Sequence, residues 1–202
     1  MFDRAALKIT KPFVDAIAKQ LAASGFTADQ ITFAAFALGV SASVLIAFDH
    51  PLVAIMPLLL SRVGDGVDGA LARLTAPTDR GTFLDIALDF LFYASVPLAF
   101  AIADPPRNAL PAALLLAAFI GTGTSFLAYA IMAAKRGQTN AQFPSKSFYY
   151  LGGLAEGTET IAMFVGMCLW PQYFPELAII YTVLCTFTTF TRLWAGWRNF
   201  GS

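Results

Sequence analysis

Long apolar runs constrain this chain more than any other feature of its sequence. Six runs approach the roughly 20 residues that an α-helix needs to cross a bilayer at about 1.5 Å per residue. They cover residues 31–48, 52–72, 82–103, 110–134, 148–169 and 177–193. Charged residues make up only 13% of the chain, whereas soluble domains contain about a quarter. The sequence therefore predicts an all-α integral membrane protein with six transmembrane helices.

The segment before the first run predicts a helix of a different kind. Within residues 1–28, apolar side chains recur every four residues, and basic side chains occupy other positions. The apolar stripe consists of Ala5, Ile9, Phe13, Ile17 and Leu21. Such a pattern is typical of an amphipathic helix that lies at the membrane interface. We therefore expect a single membrane domain over residues 1–202, in which this interfacial helix precedes a six-helix bundle at about 30–194.

The distribution of basic residues predicts the orientation of the bundle. Eleven of the 13 Lys and Arg residues fall on one side of the predicted topology. They are Arg4, Lys8, Lys11, Lys19, Arg73, Arg80, Lys135, Arg136, Lys146, Arg192 and Arg198. By the positive-inside rule, both termini and this side of the bundle face the cytoplasm, as in an inner or cytoplasmic membrane protein. The formal net charge of zero, without a long basic run, argues against nucleic-acid binding.

Four aspartates interrupt the second and third apolar runs. Asp65 and Asp68 are three residues apart, and Asp85 and Asp89 are four apart, so each pair lies on one face of its helix. An aspartate at mid-membrane costs about 2.5–3.5 kcal/mol on insertion scales, which points to a functional role. Because only residues 74–80 join the two helices, the helices should be antiparallel neighbours. We expect the carboxylates to meet near the cytoplasmic surface, with Asp65 and Asp89 about 12 Å from the turn.

These carboxylates form an all-oxygen ligand set without His or Cys. Such a set suits Mg²⁺, Mn²⁺ or Ca²⁺, and four acids suit two cations about 3.5–4 Å apart. Small residues share the acidic faces and leave space for a ligand, while Arg73 could clamp a phosphate. The pattern favours a site for a metal-held diphosphate. The alternative is a divalent cation transporter or channel, because clustered intramembrane acids also mark ion pathways.

The spacing of these residues resembles a family signature. The signature of the CDP-alcohol phosphotransferases, also called CDP-alcohol phosphatidyltransferases, is similar to the run Asp65-x2-Asp68-Gly69-x2-Ala72-Arg73-x7-Gly81-x3-Asp85-x3-Asp89. These integral membrane enzymes make phospholipids from CDP-activated donors. A second family segment, which precedes the first span, matches residues 26–32 only at Thr32.

The resemblance implies transfer of a phosphatidyl group from CDP-diacylglycerol to an alcohol, with release of CMP. Two divalent cations, Mg²⁺ or Mn²⁺, would be held by Asp65, Asp68, Asp85 and Asp89. Asp89 would also be the catalytic base that takes the acceptor proton. The CDP pocket would be lined by Gly69, Ala72, Arg73 and Gly81. The resemblance also implies a homodimer, and residues 119–130 have the small-xxx-small spacing that permits close helix contact.

The acceptor alcohol lies outside this signature and could be a phosphorylated polyol, an amino alcohol or a lipid. The candidate acceptor residues are Arg62, Lys135, Arg136, Glu156 and Glu159. Lys135 and Arg136 either hold a phosphorylated acceptor or anchor their helix at the cytoplasmic surface. Glu156 and Glu159 share one helix face and either contact a headgroup or pair with Arg62 or Lys146. Arg62, three residues before Asp65, either neutralises the aspartates or contacts the substrate.

Overall fold

The apolar runs fold as α-helices in the computed structural model, which describes residues 3–137 and 155–201. The helices in that part of the chain are α1 (Asp3–Ala23), α2 (Ala28–Ala47), α3 (Pro51–Leu74), α4 (Asp79–Ala103), α5 (Pro105–Lys135), α6 (Gly157–Leu169) and α7 (Phe174–Phe200). A short 3-10 turn, Pro171–Tyr173, precedes α7. Strands are absent from the described residues, and the all-α prediction is confirmed for them.

Local signals in the sequence explain where the helices around the acidic motif begin. Thr27 and Gln30 form a reciprocal capping box at the start of α2, which satisfies two backbone N–H groups that the helix leaves without partners. The Thr78 hydroxyl accepts a 3.0 Å hydrogen bond from the backbone N–H of Gly81 at the start of α4. Pro51 opens α3, where a missing N–H costs nothing. The α3–α4 turn is therefore held by a cap beside Gly81.

Among the described residues, four helical segments are long and apolar enough to cross a membrane. They are Ala28–Ala47, Asp79–Ala103, Pro105–Lys135 and Pro171–Phe200. Helix α3 has 24 residues but carries Arg62, Asp65 and Asp68, and α6 has only 13 residues in the described part of the chain. The predicted fifth span, 148–169, begins outside the described residues. The protein is thus a helical membrane protein, and the count of six spans remains a prediction.

Helices α2, α3 and α4 pack together and form the frame of the acidic motif. Helix α2 contacts both α3 and α4, while α5 contacts α4 and α7. The main core lies between these helices and α6, and its fully buried side chains include Ile46, Leu58, Phe92, Phe164 and Tyr181. A smaller core joins α1 to α3 through Ala18, Val67 and Leu71. Helix α1 is therefore docked on the half of α3 that carries the aspartates.

Helix α1 forms over Asp3–Ala23, and its location at the membrane interface remains a prediction. On its exposed side, Lys11 forms an i,i+4 ion pair with Asp15. The hydrogen bond from Lys11 lowers the pKa of the Asp15 carboxyl. Phe13 is 62% exposed, so this helix presents an aromatic ring as well as charges outside its contact with α3. That combination suits a surface where water meets lipid.

Gly64 allows the close approach of α2 and α3 next to Asp65. A Cβ atom at Gly64 would lie 2.8 Å from the Cβ of Ala35 and 3.4 Å from its Cα. Ala35 is buried and has no flexible side chain to move aside. We therefore expect Gly64→Ala to force the helices apart and to lower the free energy of unfolding by about 1–3 kcal/mol, as overpacked cores do. Thermal unfolding of the detergent-solubilised protein measures this effect.

Gly166 offers a matched control for this substitution. It lies within α6, and a Cβ atom there would meet nothing within 4 Å. Gly166→Ala should leave the melting temperature unchanged or slightly higher, because alanine favours helix more than glycine does. The close-packing argument is wrong if Gly64→Ala melts at the same temperature as Gly166→Ala.

Candidate active site

Three of the four predicted aspartates meet between α3 and α4. Asp65 extends from α3, and Asp85 and Asp89 extend from successive turns of α4. One carboxylate oxygen from each lies within 4.8 Å of the others. The spacing of Asp85 and Asp89 places both on one face of α4, and helix α2, which contacts both α3 and α4, holds that face near Asp65. We call Asp65, Asp85 and Asp89 the acid cluster.

Asp68 lies one turn further along α3 and is not a member of the acid cluster. Its side chain is buried, with the residue 4% exposed, and its Oδ2 atom has no hydrogen-bond partner among the described residues. A buried carboxylate oxygen without a partner costs free energy that a bound cation would offset. The aspartates supply only oxygen ligands, which Mg²⁺ and Mn²⁺ prefer. The residues present therefore fit a divalent cation site.

Arg62 places a guanidinium group against the acid cluster. Its Nη1 atom donates a 2.6 Å hydrogen bond to Oδ1 of Asp89 and lies 3.6 Å from Oδ1 of Asp65. Its Nη2 atom donates to the Ser61 hydroxyl at 3.0 Å. The guanidinium carbon lies 4.2 Å from the centroid of the Phe92 ring. Of the two roles considered for Arg62, these contacts support neutralisation of the aspartates.

Helix α2 closes the third side of a small cleft over the acid cluster. The cleft is lined by Thr32, Ala35 and Phe36 of α2, Arg62 and Asp65 of α3, and Asp85, Leu88 and Asp89 of α4. Thr32 is buried, and its hydroxyl donates to the carbonyl of Ala28 at 3.0 Å. Sequence reasoning did not predict the contributions of Ala35, Phe36 and Leu88. The only signal on α2 was the family match at Thr32, because apolar lining residues carry no chemical signature of their own.

The residues predicted to bind CDP lie nearer the α3–α4 turn. A Cβ atom on Gly69 would lie 3.4 Å from Nη1 of Arg73, so the Arg73 guanidinium lies alongside the bare backbone of Gly69. A Cβ atom on Gly81 would lie 3.4 Å from Oδ1 of Asp29. Ala72 is half-buried on the same helix as Arg73. The structure thus arranges small residues and one exposed cation between the acid cluster and the turn.

An ion pair connects α2 to α4 at the same end of the molecule. Nη2 of Arg80 lies 2.5 Å from Oδ2 of Asp29. Arg80 is mostly exposed, with its side chain 77% accessible, whereas that of Asp29 is 20% accessible. This pair joins the first turns of two helices that frame the cleft, and it lies outside the acid cluster.

The other candidate acceptor residues do not line this cleft. Arg136 donates hydrogen bonds to the carbonyls of Asn199 at 2.9 Å and Phe200 at 3.1 Å, so it contacts the C-terminal end of α7. Lys135 is exposed at the end of α5. Glu156 and Glu159 lie at the start of α6. Lys146, considered as a partner for these glutamates, lies outside the described residues.

The sequence is similar to a known protein family and to individual known proteins. A family model described as CDP-alcohol phosphatidyltransferase matches residues 26–194, which include the whole acidic motif. The "Inner membrane protein YnjF" of Escherichia coli strain K12 is 51% identical over 202 residues, covering 100% of this chain and 98% of that protein. The "Archaetidylinositol phosphate synthase" of Pyrococcus horikoshii is 34% identical over 90 residues, or 44% of this chain and 47% of that protein.

Solved structures share the fold of this chain at low sequence identity. The crystal structure of Mycobacterium tuberculosis phosphatidylinositol phosphate synthase (PgsA1) with CDP-DAG bound has a TM-score of 0.73 at 19% identity, and covers 91% of this chain and 93% of that chain. The structure of the same protein in complex with manganese and citrate has a TM-score of 0.71 at 20% identity, with 91% and 88% coverage. The helical arrangement around the cleft is therefore a shared architecture.

Proposed function

The chain belongs to the CDP-alcohol phosphatidyltransferase family, and we therefore propose that it transfers a phosphatidyl group from CDP-diacylglycerol to an alcohol and releases CMP. Membership confirms the family resemblance that the acidic motif carried and identifies the protein as an enzyme of this class, which disfavours the transporter alternative. The observation that carries the proposal is the convergence of Asp65, Asp85 and Asp89 within 4.8 Å. The choice of donor is supported by the M. tuberculosis protein of similar fold, whose crystal structure contains bound CDP-DAG.

We propose that the aspartates hold two divalent cations, Mg²⁺ or Mn²⁺. The ligands would be Asp65, Asp68, Asp85 and Asp89. When bound, the cations would neutralise the negative charge of the donor's diphosphate. The assignment is supported by the Oδ2 atom of buried Asp68, which has no hydrogen-bond partner among the described residues, and by the manganese complex of the M. tuberculosis protein of similar fold.

Asp89 is the proposed catalytic base. Its Oδ1 atom is engaged by Arg62 or, in its place, by a bound cation, so Oδ2 is the atom that would take the proton of the acceptor hydroxyl. As that proton leaves, the acceptor oxygen forms a bond to the phosphorus that carries the diacylglycerol. The bond from this phosphorus to the oxygen of the CMP phosphate breaks, and CMP departs with the electron pair. The products are a phosphodiester lipid and CMP.

Arg73 and the small residues near it are proposed to bind the CDP part of the donor. Arg73 can offer a planar pair of N–H donors to a phosphate, and Gly69 beside it leaves the backbone accessible to a ligand. Ala72 and Gly81, nearer the turn, also have side chains too small to obstruct a ligand. The position of the guanidinium alongside Gly69 supports this proposal. The acceptor roles of Lys135, Arg136, Glu156 and Glu159 remain predictions.

We also propose how the enzyme is arranged in the membrane. The enzyme would have six spans and an interfacial α1, with both termini and the active site facing the cytoplasm, as the distribution of basic residues indicates. A homodimer is proposed from the family resemblance. The small residues of α5 serve contacts within the chain, since a Cβ atom on Gly121 would lie 3.2 Å from Oγ1 of Thr189 and one on Gly123 would lie 2.5 Å from the Phe90 ring. The dimer proposal therefore does not depend on them.

An acceptor screen tests the proposed reaction. The purified full-length protein would be incubated in lipid nanodiscs with CDP-diacylglycerol, Mn²⁺ or Mg²⁺, and one acceptor from each class: a phosphorylated polyol, an amino alcohol or a lipid alcohol. We expect CMP release together with a new phosphodiester lipid, detected by mass spectrometry, for one acceptor class. Gly166→Ala should behave as the wild type. Folded protein that releases no CMP with any acceptor would contradict the proposal.

A further inference from the structure

Arg62 brings a positive charge into the acid cluster, and the family signature contains no residue at its position. The Nη1 atom of Arg62 lies 2.6 Å from an oxygen of Asp89 and 3.6 Å from one of Asp65. The side chain is only 14% accessible, so solvent screens these charges less than it would at the surface. A single guanidinium thus faces two of the three carboxylates of the acid cluster, which are proposed metal ligands.

The guanidinium of Arg62 does not use its full capacity for hydrogen bonds. It rests on the fully buried ring of Phe92 at 4.2 Å and lies 5.6 Å from the centroid of Tyr93. Its Nη2 atom reaches the hydroxyl of buried Ser61, but its Nε atom is buried without a hydrogen-bond partner among the described residues. Arg62 therefore has a defined place beside the carboxylates, in which part of its donor set is unused.

We propose that Arg62 is a tethered counter-ion that competes with a divalent cation for Asp89. An oxygen that accepts a short hydrogen bond from a guanidinium cannot also bind a metal along the same direction at about 2.1 Å. A positive charge at this distance also repels a second cation in a region of low dielectric constant. Metal binding at the Oδ1 atom of Asp89 therefore requires Arg62 to move away from that atom. This inference rests on the metal site of the proposed function and adds a residue that controls its affinity.

Removal of the charge should strengthen metal binding. The full-length protein, stripped with EDTA and kept free of CDP-diacylglycerol, would be titrated with Mn²⁺, and free Mn²⁺ would be measured by electron paramagnetic resonance. We expect Arg62→Gln to lower the Kd of the weaker Mn²⁺ site by about tenfold or more, equivalent to ~1.4 kcal/mol. Arg62→Lys keeps the charge, and its Kd should stay near that of the wild type.

Arg80→Gln is the matched control. It removes the same charge from an arginine that pairs with one aspartate, Asp29, at the same end of the molecule but outside the acid cluster. Its Mn²⁺ affinity should be close to that of the wild type. Equal tightening in Arg80→Gln and Arg62→Gln would overturn the proposal, because it would show a general effect of net charge.

Melting temperatures distinguish a counter-ion from a residue that only packs. Without Mn²⁺, Arg62→Gln should melt below the wild type, because Asp89 and Asp65 lose their counter-charge, and saturating Mn²⁺ should raise its melting temperature more than that of the wild type. An unchanged Kd with the same loss of stability at all Mn²⁺ concentrations would overturn the inference and leave the proposed function intact. If the wild type binds no Mn²⁺ that Asp65→Asn removes, the proposed metal site itself fails.

Discussion

Replacement of Asp89 with Asn is expected to lower kcat for CMP release by about 10²–10⁴-fold, the usual contribution of a general base. Asparagine keeps the shape of the side chain, and its carbonyl oxygen can still accept the hydrogen bond that Arg62 now donates to Oδ1. Its amide nitrogen, however, cannot take a proton from the acceptor hydroxyl. Because the residues proposed to bind CDP lie closer to the turn, the KM for CDP-diacylglycerol should change far less than kcat. Steady-state CMP release with the acceptor found by the screen measures both constants.

Asp79→Asn is the matched control for this prediction. Asp79 is exposed in the first turn of α4, on the same helix as Asp89, and it undergoes the same chemical change. Its kcat should remain close to that of the wild type. Since Asp89 is also a proposed metal ligand, each variant would be assayed over a range of Mn²⁺ concentrations. Full recovery of kcat by excess Mn²⁺ would assign Asp89 to metal binding and remove it from the role of base.

Removal of divalent cations is expected to abolish the reaction. With EDTA, CMP release should fall below detection and should return when Mn²⁺ or Mg²⁺ is added in excess. The reason is electrostatic: the acid cluster and the diphosphate are both negative, and Arg62 supplies a single positive charge between Asp65 and Asp89. Without further cations, the donor and the cluster repel each other. Wild-type rates in the presence of EDTA would contradict the metal assignment.

Replacement of Asp65 with Asn should weaken metal binding. Mutation of a residue that only hydrogen-bonds to a metal ligand typically lowers metal affinity by about 10–100-fold. Asp65→Asn removes a proposed ligand itself, so it should raise the Mn²⁺ concentration needed for half-maximal activity by at least that factor. Asp79→Asn should not. A variant at Asp65 with the Mn²⁺ dependence of the wild type would exclude this carboxylate from the site.

The sequence was sufficient to predict that acidic faces of two helices meet. The spacing of Asp85 and Asp89 places them on one side of α4, where their carboxylates meet that of Asp65 from α3. That placement depends on local helix geometry, whereas α3 and α4 are brought together mainly by α2, which contacts both. Asp68 shows the limit of that reasoning, because its three-residue spacing from Asp65 rotates it toward a buried position outside the acid cluster. A shared helix face covers a wide arc, and small rotations separate side chains within it.

The charged residues of the candidate site lower the hydropathy of α3, so hydropathy alone does not classify this helix as a span. Helix α3 has the length of a membrane helix but is not among the four apolar segments, because Arg62, Asp65 and Asp68 lower its hydropathy. Its place in the fold is clear from packing, since it contacts α1, α2 and α6. A membrane helix that carries several charged residues is therefore less apolar than a helix that faces lipid along its whole length.

Periodicity along the chain was enough to group the aspartates, the glycines and Arg73 on adjacent helix faces, since each residue turns a helix by a constant angle. The partner of Arg62 could not be inferred in this way. Its long side chain can reach Asp65 on its own helix, Asp89 on the next, or a substrate, and nothing local selects among them. The selection comes from packing between helices, which sets Phe92 beneath the guanidinium and Asp89 before it. Contacts between residues distant in sequence depend on how whole helices dock, and that information is spread over the entire core.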